Sequence, residues 1–257
     1  GSVILAGLML KTGAYGLMRF AIPLFPGPSA AIAPAAMWLG VAGIIYGAIL
    51  AFAQTDFKRM VAYTSVSHLG FVLLGIYSGN PLALQGATME IIAHGISTGA
   101  LFLLAGMLQE RTHTRDFRKL GGLWATTPKM GGFTLLFALA ALGLPGLGNF
   151  VGEFLVLLGV FQVNPVIAII GTLGFVFSVI YALRLVQGSM QGPNVNNWTL
   201  PDLNPREIAI LGVLAVIIIW LGLYPKPIFT TAAPSLTIVE SAGGGRESYR
   251  EGAKERK

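Results

Sequence analysis

The sequence of 257 residues contains no cysteine and few charges: Asp, Glu, Lys and Arg make up 11% of it, against about 25% in a soluble domain. Without cysteine there is neither a disulfide framework nor a thiolate metal site. No H-E-x-x-H pair appears, so no metal ligand set is expected from spacing. A phosphate-cradling G-x-x-x-x-G-K-[ST] loop is also missing, and no G-x-G-x-x-G turn follows a strand. These absences argue against a nucleotide, redox or other cofactor site in this chain. The formal net charge of +6 does not point to nucleic acid, because the basic residues sit in short loops between apolar runs and near the carboxyl end, where membrane topology places them.

What is present in abundance is apolar sequence. Hydrophobic residues make up 54% of the chain, and its 34 glycines suit closely packed transmembrane helices. A helix needs about 20 apolar residues to cross the hydrocarbon core. Seven segments qualify: 2–22, 34–53, 59–78, 81–108, 128–162, 165–188 and 206–224. An all-α, polytopic membrane domain over 1–228 is expected, with an extramembrane tail over 229–257 whose mixed Gly, Glu, Arg and Lys composition predicts disorder at its end. The chain opens in apolar sequence with no initiator Met and no signal peptide, as a fragment or processed piece would.

The fifth segment is too long for one simple span and contains Leu142-Gly143-Leu144-Pro145-Gly146-Leu147-Gly148-Asn149. Pro145 has no N–H, and its ring clashes with the carbonyl of Ala141, which predicts a discontinuous helix here. Backbone groups freed at membrane depth persist only against protein or a hydrated cavity, so the break is a pointer to function as well as to shape. With seven spans, the loops at 54–58, 109–129 and 189–205 share one side and carry most of the Lys and Arg, including Lys58, Arg59 and Arg111. That side is expected to be cytoplasmic or its matrix equivalent, with the carboxyl-terminal tail across the membrane.

Charges within the spans cost several kcal/mol on insertion scales and mark pathways or buried pairs. Lys11 lies mid-span, about nine residues or roughly 14 Å from the cytoplasmic end. Glu153 follows the helix break and reads either as a proton-carrying carboxyl or as a cap on the second half-helix. His68, with Thr64 and Ser65 on the same helical face, forms a hydroxyl–imidazole stripe able to hold a file of water. Glu90 and His94 stand four residues apart and can meet on one face, extended by Ser97 and Thr98. Buried lysines, histidines and carboxylates change protonation state near neutral pH, which suits Lys11, His68, His94 and Glu153 as proton carriers, with Lys58, Glu90, Thr64, Ser65 and Pro145 in support. A structural ion pair of Lys11 with a carboxylate remains the plainer alternative. Arg184 lies near the cytoplasmic end and is expected to snorkel.

Four colinear stretches resemble the antiporter-like subunits of respiratory complex I. They are Ala6-Gly7-Leu8-Met9-Leu10-Lys11-Thr12-Gly13-Ala14-Tyr15-Gly16, the run from Phe52 to His68, Ala93-His94-Gly95, and Leu144-Pro145-Gly146-Leu147-Gly148-Asn149-Phe150-Val151-Gly152-Glu153. The resemblance extends to about Pro227 and is similar to the branch carrying glutamate, not lysine, on the broken helix. It implies a fourteen-helix fold with inverted repeats, of which this chain would supply the second half. It also implies a translocase subunit of NADH:quinone oxidoreductase, driven by quinone reduction elsewhere, with other membrane subunits, neighbouring antiporter-like chains, lipid and protons as partners. Lys11 would be the central relay, His68 and His94 the midplane carriers and Glu153 the exit group. The input half-channel of the family would lie outside this chain, which is therefore not expected to pump alone. The rival readings are a subunit of a multi-chain sodium/proton antiporter or membrane-bound hydrogenase, and a non-transporting membrane scaffold.

Overall fold

A computed structural model describes residues 1–194 and 196–254, without the side chains of 242–254. The described chain is helical, with a single isolated bridge between Asp56 and Asp116 in place of any strand. Helix α1 covers Ser2–Leu24, α2 Pro26–Ala53, α3 Phe57–Tyr77 and α4 Pro81–Thr112. After a short turn at Leu123–Ala125 come the half-helices α5, Pro128–Ala141, and α6, Gly148–Val163. Helices α7, Pro165–Ser189, and α8, Pro205–Leu223, complete the bundle, and α9 runs Lys226–Lys254. Six of these helices are long and apolar enough to cross a membrane. With α5 and α6 as one broken span, they make the seven spans read from the sequence.

Helix starts follow local chemistry. Proline opens α2, α4, α5, α7 and α8, where its missing N–H leaves no bond unmade. Asp56, Asn80 and Asn164 cap α3, α4 and α7 through their side chains. Asn204 and Glu207 form a reciprocal capping box on α8. Helix α2 begins eight residues earlier than the span read from residue 34, and Pro34 sits inside it. Its first turns are apolar and continuous with the helix, so Pro34 does not start it.

The three basic loops do lie together. Phe57 N donates to Arg115 O and Phe117 N to Thr55 O, while Gly122 and Trp124 bond to Gln191 and Met190. Arg111 bridges to Glu207 at 2.6 Å, Arg115 to Asp56 at 3.1 Å. On the opposite side, Asn80 Nδ2 donates to Gln162. Successive loops on alternate sides are what consecutive spans produce. Arg184 ends near the loop side, as its position suggested. Its guanidinium donates to Phe52 O at 2.6 Å and sits 4.7 Å above the Phe52 ring, capping the last turn of α2.

Helix α9 occupies the stretch read as an extramembrane tail, and its backbone is helical to Lys254 where composition suggested none. Disorder was expected over 240–257, of which residues 255–257 lie outside the described ones. Leu236 and Val239 of α9 are buried with Ile22, Ala33 and Met37 of α1 and α2.

The bundle is held at its centre by α4 against α6. A Cβ on Gly86 would fall 2.6 Å from Val156 N, and one on Gly152 2.7 Å from Glu90 N. Only hydrogen at both positions lets the backbones approach this closely, as small residues do at membrane helix interfaces. Gly86→Ala should therefore destabilise the fold by about 1–3 kcal/mol through overpacking, read as a lowered unfolding midpoint in detergent, whereas Gly106→Ala, with open space at its Cβ, should leave it unchanged.

Candidate functional site

The bond that opens the break is made by glycine before proline is reached. Gly143 adopts φ +77°. Its N–H donates to Ala140 O, and Leu144 N donates to Leu139 O. These are the paired bonds that end a helix through a left-handed residue. Pro145 lies just beyond, exposed, where it prevents the helix from resuming. The clash of Pro145 with Ala141, expected from the sequence, is thus pre-empted by a turn that has already left the helix. The freed carbonyls face α7: Tyr181 Oη donates to Ala141 O at 3.3 Å, and the single Ser178 hydroxyl hydrogen is shared between Leu142 O at 3.1 Å and Phe175 O on its own helix at 2.8 Å.

Helix α6 restarts at Gly148 with no acidic residue in its first turn. Glu153 lies beyond that turn and is not a cap. Its carboxylate Oε1 accepts from His68 Nδ1 at 2.7 Å. The same nitrogen lies 3.2 Å from Glu90 Oε1, which also accepts from Asn149 Nδ2 at 3.3 Å. Because both neighbours of Nδ1 are carboxylate oxygens, Nδ1 carries the hydrogen. On the far side of the ring, Nε2 is 3.4 Å from Tyr181 Oη. Tyr181 has one hydroxyl hydrogen and two neighbours that accept it, Ala141 O and an unprotonated Nε2. The phenol therefore joins the histidine to the helix break.

Lys11 belongs to the same constellation. Only 7% of it is exposed, although α1 otherwise presents large apolar side chains outward. Helix α1 carries π-helical turns at Leu5–Met9 and Leu17–Ala21, a distortion common at functional sites. Lys11 Nζ donates to the carbonyl of Ala6 in the first of these. It also lies 2.8 Å from His94 Nδ1. An ammonium has no acceptor capacity, so His94 accepts at Nδ1 and offers its Nε2 hydrogen to Thr98 Oγ1 at 3.2 Å. The rings of His94 and His68 stand edge to face with centroids 5.0 Å apart. Lys11, His94, His68 and Glu153 thus form one buried line drawn from α1, α4, α3 and α6.

Two sequence readings change. Glu90 and His94 share no hydrogen bond or ion pair: Glu90 turns to His68 and His94 to Lys11, because the two faces of α4 meet different helices. Lys11 meets an imidazole, not a carboxylate. Thr64 and Ser65 both donate to Val61 O on their own helix, which leaves their oxygens free only to accept. Lys58 stands in the first turn of α3, away from the buried line. Two participants carry no signal in the sequence: Asn149 is an uncharged residue within the break motif, and Tyr181 is one tyrosine in an apolar span.

His68, Glu90 and Glu153 offer one nitrogen and two carboxylate oxygens within 4.8 Å of one another, a donor set from three helices that motif spacing does not reveal. In this structure His68 Nδ1 donates to Glu153 Oε1 and lies 3.2 Å from Glu90 Oε1. The second oxygens, Glu90 Oε2 and Glu153 Oε2, and Asn149 Oδ1 are buried with no protein donor. A proton on one carboxyl supplies such a donor and relieves the repulsion between the two.

A family of transmembrane segments described as NADH:quinone oxidoreductase/Mrp antiporter matches residues 1–180. NADH-quinone oxidoreductase subunit M of Pseudomonas aeruginosa is 56% identical over 236 residues, 92% of this chain and 46% of that one. The protein of that name in Escherichia coli K12 is 54% identical over 235 residues, again covering 46% of the relative. The chain thus spans about half the length of the curated relatives it matches. A chain in the structure of respiratory complex I from Thermus thermophilus with bound NADH superposes with a TM-score of 0.86 at 34% identity, over 92% of this chain and 50% of that one.

Removing the phenol hydroxyl should expose what it holds. Tyr181→Phe leaves Ala141 O without its donor in a buried site, and should cost about 1–3 kcal/mol of stability, measured by thermal unfolding in detergent. An unchanged midpoint would show that the carbonyl finds another donor.

Proposed function

The chain belongs to the transmembrane NADH:quinone oxidoreductase/Mrp antiporter family, and from that premise we propose that it is the second half of a proton-translocating, antiporter-like subunit of complex I. The observation that carries this reading is the buried line from Lys11 through His94 and His68 to Glu153. It runs through helices otherwise apolar enough for a membrane, and every member can gain or lose a proton.

The steps follow from the bonds present. Lys11 hands a proton to His94 Nδ1 along the 2.8 Å contact. His94 then carries hydrogen on both nitrogens and passes one across to His68, whose ring centroid stands 5.0 Å away. His68 Nδ1 delivers to Glu153, 2.7 Å away. Glu90 stands beside the same nitrogen as a second acceptor, so the proton has a holding place before exit. Glu153 Oε2 faces the helix break, close enough to Gly143 that a Cβ there would sit 2.7 Å from it. Release takes place at that break, whose backbone α7 secures.

Energy would come from quinone reduction in other subunits, transmitted as a change of charge beside Lys11. A neighbouring charge moves a buried group's protonation equilibrium by one to three pKa units, about 1.4–4 kcal/mol, which suffices to reverse a transfer. No cofactor is proposed in this chain. Its partners would be the other membrane subunits, including neighbouring antiporter-like chains. The basic loop side would face the cytoplasm or matrix, and the start of α9 the opposite side. The same fold serves sodium/proton antiporters, but identities above 50% to subunit M relatives favour the complex I reading.

In intact complex bearing Glu153→Gln or Lys11→Ala, quinone-linked proton pumping should fall about tenfold or more while the complex still assembles. Normal pumping in either variant, at unchanged electron-transfer rate, would sink the relay.

A further inference from the structure

Glu153 is held through one of its two oxygens. Oε1 accepts from His68 Nδ1 at 2.7 Å, while Oε2 is buried with no donor among the described residues. That free oxygen stands at the break. A Cβ on Gly143 would lie 2.7 Å from it and 2.8 Å from Cε1 of Phe175, with Cδ1 at 3.3 Å. The oxygen and the edge of the ring thus converge on the point that any side chain at Gly143 would occupy. An aromatic edge carries the positive end of the ring quadrupole, so it tolerates a carboxyl oxygen while giving it no hydrogen bond. Phe175 is half-buried, whereas Glu153 is 2% exposed, and Leu144 and Pro145, which follow Gly143 in the chain, are exposed. The ring occupies the ground between a sealed oxygen and the open flank of the break.

Two contacts hold it there. Its centroid is 5.9 Å from that of the buried Phe71, at a tilt of 42°. Its backbone carbonyl accepts from Ser178 Oγ at 2.8 Å, and the same hydroxyl lies 3.1 Å from Leu142 O, so one hydrogen ties this turn of α7 to the end of α5. We propose that Phe175 is a gate: its ring seals the free oxygen of Glu153, and a proton leaves Glu153 only when the ring turns aside from Gly143. This rests on Glu153 as the release group and adds what governs release. Turning one apolar side chain admits water to Oε2, and its return excludes water again, which gates the step without a further ionisable group. Between releases the closed ring keeps protons from running back from the break to His68.

The test uses the intact membrane complex containing the full-length chain, treated at rest with dicyclohexylcarbodiimide, an apolar reagent that adds to protonated carboxyl groups. Modified peptides are quantified by mass spectrometry. Phe175→Ala should raise labelling of Glu153 about tenfold, equivalent to about 1.4 kcal/mol in access, and leave labelling of Glu90 unchanged. Glu90 also has a buried oxygen without a donor, so it reports any general loosening of the bundle. Phe175→Leu, which keeps most of the apolar bulk, should label as the parent protein does. Should Phe175→Ala not assemble, Phe71→Leu removes the backing of the ring and should raise Glu153 labelling with the same selectivity. Protons pumped per electron should fall in Phe175→Ala and hold in Phe175→Leu. Unchanged labelling of Glu153, or an equal rise at Glu90, would overturn the gate. Normal pumping in Glu153→Gln overturns instead the relay on which the gate rests, and because labelling at rest needs no turnover the two failures are told apart.

Discussion

One imidazole nitrogen shared between two buried carboxylates sets the conditions that the rest of the molecule meets. His68 Nδ1 lies within hydrogen-bonding reach of both Glu153 and Glu90, and neither carboxylate is more than 2% exposed. An ionisable set this far from water survives only where protein groups replace its hydration and where its net charge stays small. Asn149, Tyr181 and Lys11 with His94 are the replacements. Their presence explains why five different spans converge on one point in a bundle whose other buried residues are apolar or carry only an uncharged hydroxyl.

The helix break serves the same condition. A continuous fifth span would have closed its backbone bonds within itself and left no free backbone polar groups near Glu153. The left-handed turn at Gly143 releases Ala141 and Leu142 carbonyls, and α7 answers with one phenol and one serine hydroxyl. The break is therefore polar but ordered. Tyr181 belongs to both systems, since its oxygen faces the carbonyl on one side and His68 Nε2 on the other. A change in which histidine nitrogen carries hydrogen is felt at the break through that single rotor.

Helix α1 meets the condition differently. It is the least enclosed of the long helices and still presents a buried lysine. Its π-helical turn points a backbone carbonyl at the Lys11 ammonium, so the charge is held by its own helix on one side and by α4 on the other. Close approach of backbones makes this possible: a Cβ on Gly95 would meet Gly7 O at 2.9 Å. The same economy of side-chain volume brings α4 against α6 through Gly86 and Gly152, and it fixes the height at which Glu90 stands opposite Asn149.

The amino-acid sequence by itself determined the membrane class, the seven spans, the break near Pro145 and the four ionisable groups Lys11, His68, His94 and Glu153. Each rests on a property local in the chain: about 20 apolar residues to span the bilayer, a missing N–H at proline, the cost of a charge within an apolar run. Which group meets which was decided by tertiary structure alone. Periodicity allowed Glu90 to meet His94, yet His68 is joined to Glu153, 85 residues away, and Lys11 to His94, 83 residues away. Spacing on one helix says which residues share a face. It does not say which neighbour that face meets, or at what height, because those follow from how closely the backbones can approach. That approach depends on pairs of glycines whose partners lie in other helices.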